Sequence, residues 1–256
     1  MWFDLVTSDP VAAAKFYTAL IGWGTMDWAG GDQPYTMWTM NETPVGGMVT
    51  MATDPNAGSF WHGYVSTADT DATVKQAKAI GGKVFLQPKD IPTVGRFAVM
   101  GDPQGAVFAP FTPLPTATPP ADGPPPVGGF SWHELATSDL DAGFGFYKTL
   151  FGWEPTNAYD MGPLGIYQMF GYEGAAAVGP SAMVGGIYRK PAGIPGPGAY
   201  WLHYIRVPSV DDAAAKIPTL GGKVTQGPME VPGGSRVLQG VDPQGAAFAL
   251  HTTAKR

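Results

Sequence analysis

WFDLVTSDPVAAAKFYTALIGW at residues 2–23 and WHELATSDLDAGFGFYKTLFGW at 132–153 agree at Trp, Leu, Thr-Ser-Asp, Ala, Phe-Tyr, Leu and Gly-Trp. The match returns downstream, where GGKV at 81–84 meets GGKV at 221–224 and DPQGAVFA at 102–109 meets DPQGAAFA at 242–249. Agreement in register at both ends identifies two homologous domains. Between them, PLPTATPPADGPPPVGG at 113–129 carries seven prolines. Proline fixes φ and lacks an amide hydrogen, so this stretch reads as an extended, semi-rigid linker. The reading gives a first domain at 1–112, a linker at 113–129 and a second domain at 130–256.

A shorter period is nested inside each domain. Trp2, Trp61, Trp132 and Trp201 are each followed, nineteen residues on, by an apolar residue and then glycine: Ile21-Gly22, Ile80-Gly81, Phe151-Gly152 and Leu220-Gly221. Each unit opens on a short apolar and aromatic run that reads as a strand, such as WHGYV at 61–65 or WLHYIRV at 201–207. A helix follows, started by Ser8/Asp9, Asp69, Ser138/Asp139 or Ser209, whose side chains accept hydrogen bonds from first-turn amides. Ala13, Phe16, Tyr17 and Leu20 recur at three- and four-residue spacing and give the first helix one apolar stripe. Further short strands come next: YTMWTM at 35–40, PVGGMVTM at 44–51, RFAVMG at 96–101 and AVFAPF at 106–111. Strand, helix, then two or three strands, four times over, predicts an α+β fold with helices on one face of each curved sheet and a cleft on the other.

Composition narrows the function classes. Charged residues are 14% of the chain, and 36 Gly with 26 Pro suit a sheet-rich protein of many turns. The net charge is −6 and the 15 Lys and Arg are scattered singly, so no basic stripe exists for a phosphate backbone and nucleic acid is not an expected partner. No run of about 18 apolar residues occurs, and MWFDLVTSDP has no leader pattern, so the expectation is a soluble cytoplasmic protein with no membrane partner. With no cysteine there is no thiolate nucleophile, disulfide or Cys-based metal site. Phosphate-loop glycines, a G-x-S-x-G elbow and H-E-x-x-H are also missing, and no cofactor is expected.

The strand-Thr-x-Asp-helix-FY-x-x-L-x-Gly opening and the Asp-Pro-x-Gly turn before the last strand resemble the vicinal oxygen chelate superfamily (glyoxalases, bleomycin-resistance proteins and extradiol dioxygenases). The likeness covers nearly the whole chain outside the linker and is closest to the two-domain bacterial branch. It implies paired βαβββ modules curved around a central site. It also implies that a divalent metal, where used, takes His, Glu or Gln from the first and last strands of both modules. Counted from the shared motifs, those slots fall at Trp2, about Gly47, His62 and Ala109 in the first domain, and at Trp132, about Gly186, Leu202 and Ala249 in the second. Only His62 is a metal-binding residue type. One imidazole does not hold a catalytic metal that needs about three protein ligands, so the resemblance carries the fold further than the reaction.

Alternation across a strand puts Asp4 on the face of Trp2 and Glu134 on that of Trp132, an acid at the same place in both domains. These two are the candidate general acid or base residues; a carboxylate bonded to backbone amides or to Arg is the plainer role. His62 and Tyr64 share a face, and Tyr204 repeats Tyr64, offering each cleft a hydroxyl. His203 and His133 fall one place off and are expected to pack. Arg96 and Arg236 open matching strands, where a guanidinium can grip a ligand oxygen or pair with a neighbouring acid. Trp2, Trp38, Trp61, Tyr35, Trp132, Tyr167 and Trp201 either line a pocket for a flat or apolar ligand or fill the core. The candidate ligand-binding set is thus Trp2, His62, Tyr64, Arg96, Trp132, Tyr167, Tyr204 and Arg236, with no metal ligand.

Two readings follow. One is a small-molecule binding protein that holds an aromatic or apolar ligand unchanged; the other is a metal-independent isomerase, lyase or oxygenase with Asp4 or Glu134 as base. A single working cleft, or a metal held by His62, Asp4 and another residue, are further alternatives. Two fused domains point to a monomer or homodimer. Loops at 27–34 and 189–198 are expected to close over the clefts.

Overall fold

The computed structural model describes residues 2–30, 35–50, 58–115, 125–175, 183–191 and 198–254. Four βαβββ modules follow one another along the chain. The first is β1 (Trp2–Thr7), α1 (Pro10–Ile21), β2 (Gly24–Trp28), β3 (Tyr35–Met40) and β4 (Thr43–Thr50). The second is β5 (Phe60–Ser66), α2 (Thr70–Ala79), β6 (Lys83–Ile91), β7 (Gly95–Gly101) and β8 (Val107–Pro113). The third is β9 (Phe130–Thr137), α3 (Leu140–Phe151), β10 (Glu154–Asp160), β11 (Ile166–Gly171) and β12 (Met183–Arg189). The fourth is β13 (Tyr200–Arg206), α4 (Val210–Thr219), β14 (Lys223–Glu230), β15 (Arg236–Val241) and β16 (Ala247–Thr252). The expected α+β class is the observed one, with three strands after every helix; in the first domain β2 and β6 are the strands the sequence patterns did not single out.

The strands form two eight-stranded mixed sheets, ordered β2-β3-β4-β1-β5-β8-β7-β6 and β10-β11-β12-β9-β13-β16-β15-β14. Within each, the first and last strands of a module pair in parallel (β1 with β4, β5 with β8, β9 with β12, β13 with β16). Parallel pairing demands a long crossover between the two strands, which the helix and the two strands between them supply. Local chemistry sets the helix ends as expected: Asp9, Asp69, Asp139 and Ser209 each accept from the amide three residues on, at 3.0–3.1 Å. Gly22 and Gly152 stop α1 and α3 in the left-handed conformation.

Compact packing cuts across the sequence repeat. One unit comprises Trp2–His62, Pro124–Ser131 and Leu202–Arg256; the other comprises Gly63–Gly123 and Trp132–Trp201. In the first, α1 packs on α4, and the predicted stripe Ala13, Phe16, Tyr17 and Leu20 is buried with Phe3, Leu5, Trp23, Trp38, Trp61, Ile205 and Phe248. In the second, α2 packs on α3 over Val74, Met100, Phe108, Leu135, Phe146, Tyr147, Trp153 and Phe170. Each large side chain taken fully out of water contributes roughly 1.5–3 kcal/mol, so both repeats depend on residues the other supplies.

The motifs that betrayed the repeat do this joining. Tyr17 donates to Asp242 Oδ2 (3.1 Å) and accepts from Trp61 Nε1 (2.9 Å). In the other unit Tyr147 donates to Asp102 Oδ2 (3.1 Å) and accepts from Trp201 Nε1 (2.9 Å). Asp102 and Asp242 spend Oδ1 on the amides of their own DPQG turns. The Tyr of one repeat thus meets the Asp of the other. The proline-rich stretch is docked at its end: Arg206 Nη1 donates to the Pro125 carbonyl (2.6 Å) and Trp23 Nε1 to that of Gly128 (2.8 Å). Its residues 116–124 lie outside the described ones, as do 31–34 and 192–197 of the two loops expected to close over the clefts.

Candidate functional site

Away from the helices, each domain carries the same small construction on the face opposite the core. The parallel register sets Asp4 of β1 beside Gly47 of β4. Phe3 and Leu5 turn into the core, so Trp2 and Asp4 turn the other way. Trp2 Nε1 donates to Tyr35 Oη (2.8 Å) and to Asp4 Oδ1 (3.0 Å), and Tyr35 donates to the same carboxylate oxygen at 2.6 Å. The phenol lies across Gly47: a Cβ there would strike the Tyr35 hydroxyl and fall 2.6 Å from Asp4 Oδ1. Burial, and then the Asp4 charge, push the Tyr35 phenol far above its usual range, so it stays a proton donor at any ordinary pH. Asp4 is 2% exposed, which closes its carboxylate off. His62 is buried too; desolvation lowers its pKa, with Asp4 pulling the other way.

In the C-terminal domain Glu134 sits beside Gly186 in the same parallel register. Trp132 Nε1 donates to Tyr167 Oη (2.7 Å), and Tyr167 donates to Glu134 Oε1 (2.8 Å). The Tyr167 ring covers Gly186 so closely that a Cβ would run into it. Here the carboxylate is half-buried rather than closed off, and more phenols gather round it. Tyr188 lies opposite Tyr167 and stacks on it, centroids 6.1 Å apart and planes 19° from parallel. Burial, with the Glu134 charge adding to it, raises the pKa of the Tyr188 and Tyr200 phenols. Lys190 Nζ stands 5.6 Å from the Tyr200 ring centre.

The sequence candidates therefore divide. Trp2, Asp4, Tyr35 and His62 come together in one domain, and Trp132, Glu134 and Tyr167 in the other. Trp38, Trp61 and Trp201 belong to the cores. Tyr64 is 8% exposed, packed on Phe97 and Phe111. Tyr204 is 3% exposed and accepts from Gln239 Nε2 (3.0 Å). Arg96 grips Asp71 (2.6 Å) and Asp90 (2.9 Å), and Arg236 grips Asp211 (2.8 Å), so these guanidinium groups serve ion pairs with helix first-turn acids and a neighbouring strand. His203 is buried and packs on Phe3 with ring centres 4.8 Å apart, as expected of it, whereas His133 is half-buried, and desolvation lowers its pKa to about 3.

Tyr188, Tyr200 and Lys190 were missed by sequence reasoning. Alternation held the signal: Tyr188 is two residues from the Gly186 slot and Tyr200 two from the Leu202 slot, hence on the same faces.

The fold's enzymes imply a divalent metal, and the donor set here does not fit one. Among the described residues no three His, Asp or Glu side chains are grouped closely enough to hold an ion. Of the eight slots only His62 is a ligand type, and the glycine slots are covered by tyrosine rings.

The tandem βαβββ frame thus carries two strand-lined sites, each a carboxylate held by a phenol and backed by an indole. Residues 1–110 match the model described as glyoxalase-like domain, and residues 129–250 that of the Glyoxalase/Bleomycin resistance protein/Dioxygenase superfamily. The chain is 30% identical over 265 residues to the anthracycline biosynthesis protein DauV of Streptomyces sp. strain C5, covering 97% of this chain and 91% of that one. It belongs to the glyoxalase/bleomycin resistance/dioxygenase superfamily. Solved structures share the fold at low identity. The Mn(II)-bound glyoxalase from Novosphingobium aromaticivorans superposes with TM-score 0.61 at 16% identity, over 99% of this chain and 81% of that one. The 2,2',3-trihydroxybiphenyl 1,2-dioxygenase from Sphingomonas wittichii superposes with TM-score 0.64 at 13% identity, over 99% and 90%. No helix among the described residues is long and apolar enough to cross a membrane.

Proposed function

We propose that this protein binds a small, flat, aromatic or apolar organic molecule in its strand-lined clefts, without the divalent metal that enzymes of this fold use. One observation carries the reading: at Gly47 and Gly186, where the family pattern asks for a ligand side chain, a tyrosine phenol lies instead, tied to the neighbouring carboxylate and indole. Half-buried indole and phenol rings offer flat apolar surface with a few fixed donors, the usual make-up of a small-molecule site. The similarity to DauV, an anthracycline biosynthesis protein, fits an aromatic ligand.

A second reading, a metal-independent isomerase, lyase or oxygenase, is favoured by the 2.8 Å contact between Tyr167 and Glu134. Glu134 would act as general base, with Tyr167 holding its carboxylate in place; Asp4 is less suited because it is buried. Native mass spectrometry of untagged protein from its own host tests the main reading. A metal-free chain carrying an organic mass supports it, whereas a stoichiometric divalent metal overturns it. With the retained compound in hand, turnover that collapses in Glu134→Gln while binding survives would establish the second.

A further inference from the structure

We propose that the C-terminal site selects a planar aromatic ligand that carries a positive charge, such as a protonated amine, with Glu134 as the partner of that charge. This rests on the binding function proposed above and adds which of the two sites selects, and by what chemistry.

Access to the carboxylate separates two sites built alike. In the N-terminal domain Asp4 Oδ1 takes hydrogen bonds from both Trp2 and Tyr35, and the residue is shut away at 2% exposure, so its charge is closed to a ligand. In the C-terminal domain the Trp132 indole donates to the Tyr167 hydroxyl, and Glu134, one methylene longer, stays half-buried. A carboxylate offers about four lone-pair sites, so the Tyr167 bond at 2.8 Å orients Glu134 without exhausting its acceptors.

Strand register places rings around that charge. Leu135 turns into the core, so Trp132, Glu134 and Ala136 share the other face of β9. Glu134 lies beside Gly186 and Ala136 beside Tyr188, which makes Tyr188 the diagonal neighbour of Glu134. Tyr188 lies opposite Tyr167, and the two rings stack with centroids 6.1 Å apart. Val49 stands at the position matching Tyr188 in the N-terminal domain, so this aromatic wall belongs to the C-terminal site. The sign of the ligand charge follows. Ring faces and a carboxylate both attract a cation and so act together, whereas an anion meets Glu134 as a like charge. An ammonium is already at home on the wall: Lys190 Nζ stands 5.6 Å from the Tyr200 ring centre. Lys190 follows the end of β12, four positions from Gly186, so its backbone is about 13 Å along the strand from the level of Glu134. The wall's own cation is thus anchored at the end away from the acid.

Isothermal titration of the full-length chain with naphthylmethylammonium, naphthylmethanol and naphthylacetate, which share a ring and differ in charge, tests this. The ammonium should bind about tenfold more tightly than the alcohol, as one charge-assisted hydrogen bond implies, and the acetate most weakly. That margin should shrink as salt rises from about 0.05 M to about 0.5 M. Glu134→Gln, checked for an unchanged melting curve, should bring the ammonium down to the level of the alcohol while the ring still binds. A general pull of the acidic chain, net charge −6, would instead persist in that variant. Lys190→Gln takes a cation off the same wall and should widen the margin about twofold, a second reading should Glu134→Gln not fold. The proposal is overturned if the alcohol or the acetate binds as tightly as the ammonium, if the margin persists in Glu134→Gln, or if Lys190→Gln does not widen it. Those outcomes leave the binding function intact. Binding of none of the three overturns the proposal as well, and native mass spectrometry then decides the function separately.

Discussion

Tyr17→Phe removes one oxygen and should cost the fold far more than a surface change. That oxygen accepts from Trp61 Nε1 at 2.9 Å and donates to Asp242 Oδ2 at 3.1 Å, in surroundings where Tyr17, Trp61 and Asp242 are 0%, 5% and 3% exposed. The phenylalanine ring keeps the shape, so the loss is that of two buried polar groups left without this partner. At about 1–3 kcal/mol each, the sum is about 2–6 kcal/mol, a large share of a typical stability. For a chain of this length that is roughly 5–15 °C in melting temperature. Urea unfolding followed by near-UV circular dichroism measures it. A loss below about 1 kcal/mol, with native tertiary signal, would refute the idea that this bond joins the repeats. A pH corollary sharpens the test. Burial raises the Asp242 pKa while the Tyr17 bond lowers it. A carboxyl whose folded pKa exceeds its unfolded one favours the fold at acid pH and loses that contribution as pH rises through the folded value. Removing Tyr17 Oη raises the folded value further, so the variant's defect should be larger at pH 7 than near pH 4.

Gly186→Ala should destabilise by about 1–3 kcal/mol, because its Cβ must displace the Tyr167 ring; a melting curve unchanged within a degree would contradict the close approach. The chain, dialysed and then challenged with Mn²⁺, Ni²⁺ or Zn²⁺, should retain no stoichiometric ion by native mass spectrometry. His133 has its pKa lowered to about 3, so the unfolded chain takes up this proton first as pH falls below about 6.5, and stability is lost between those values. Between pH 7.5 and 5 its share is at most about 2 kcal/mol, and His133→Gln should flatten the wild-type pH dependence of the urea midpoint by that order. Arg96→Ala, which breaks exposed ion pairs, should barely move the melting temperature, and a large drop would show that those pairs matter more than their exposure implies.

Much of the site was within reach of counting. Period-2 alternation put Asp4 with Trp2 and Glu134 with Trp132, and the slot argument landed on Gly47 and Gly186. What counting could not supply was reach across strands. Tyr35 and Tyr167 are on neighbouring strands, and that their rings lie over those glycines follows from antiparallel register and rotamer. Tyr64, Tyr204, Arg96 and Arg236 have the right chemistry for a ligand, yet packing and nearby acids use them. A sequence pattern records which face a side chain takes but not which neighbour reaches it first.

The sequence by itself determined the order of strand, helix and further strands repeated four times, the helix caps and the apolar stripe of α1, because each follows from local backbone chemistry or short-range periodicity; the superfamily followed from the resemblance of its motifs. Tertiary structure alone decided which repeat completes which core. Tyr17 reaches Asp242 and Tyr147 reaches Asp102 across 225 and 45 positions, respectively. Identical motifs in both repeats make either pairing chemically equivalent in sequence, and only packing the helices in pairs, α1 on α4 and α2 on α3, selects one.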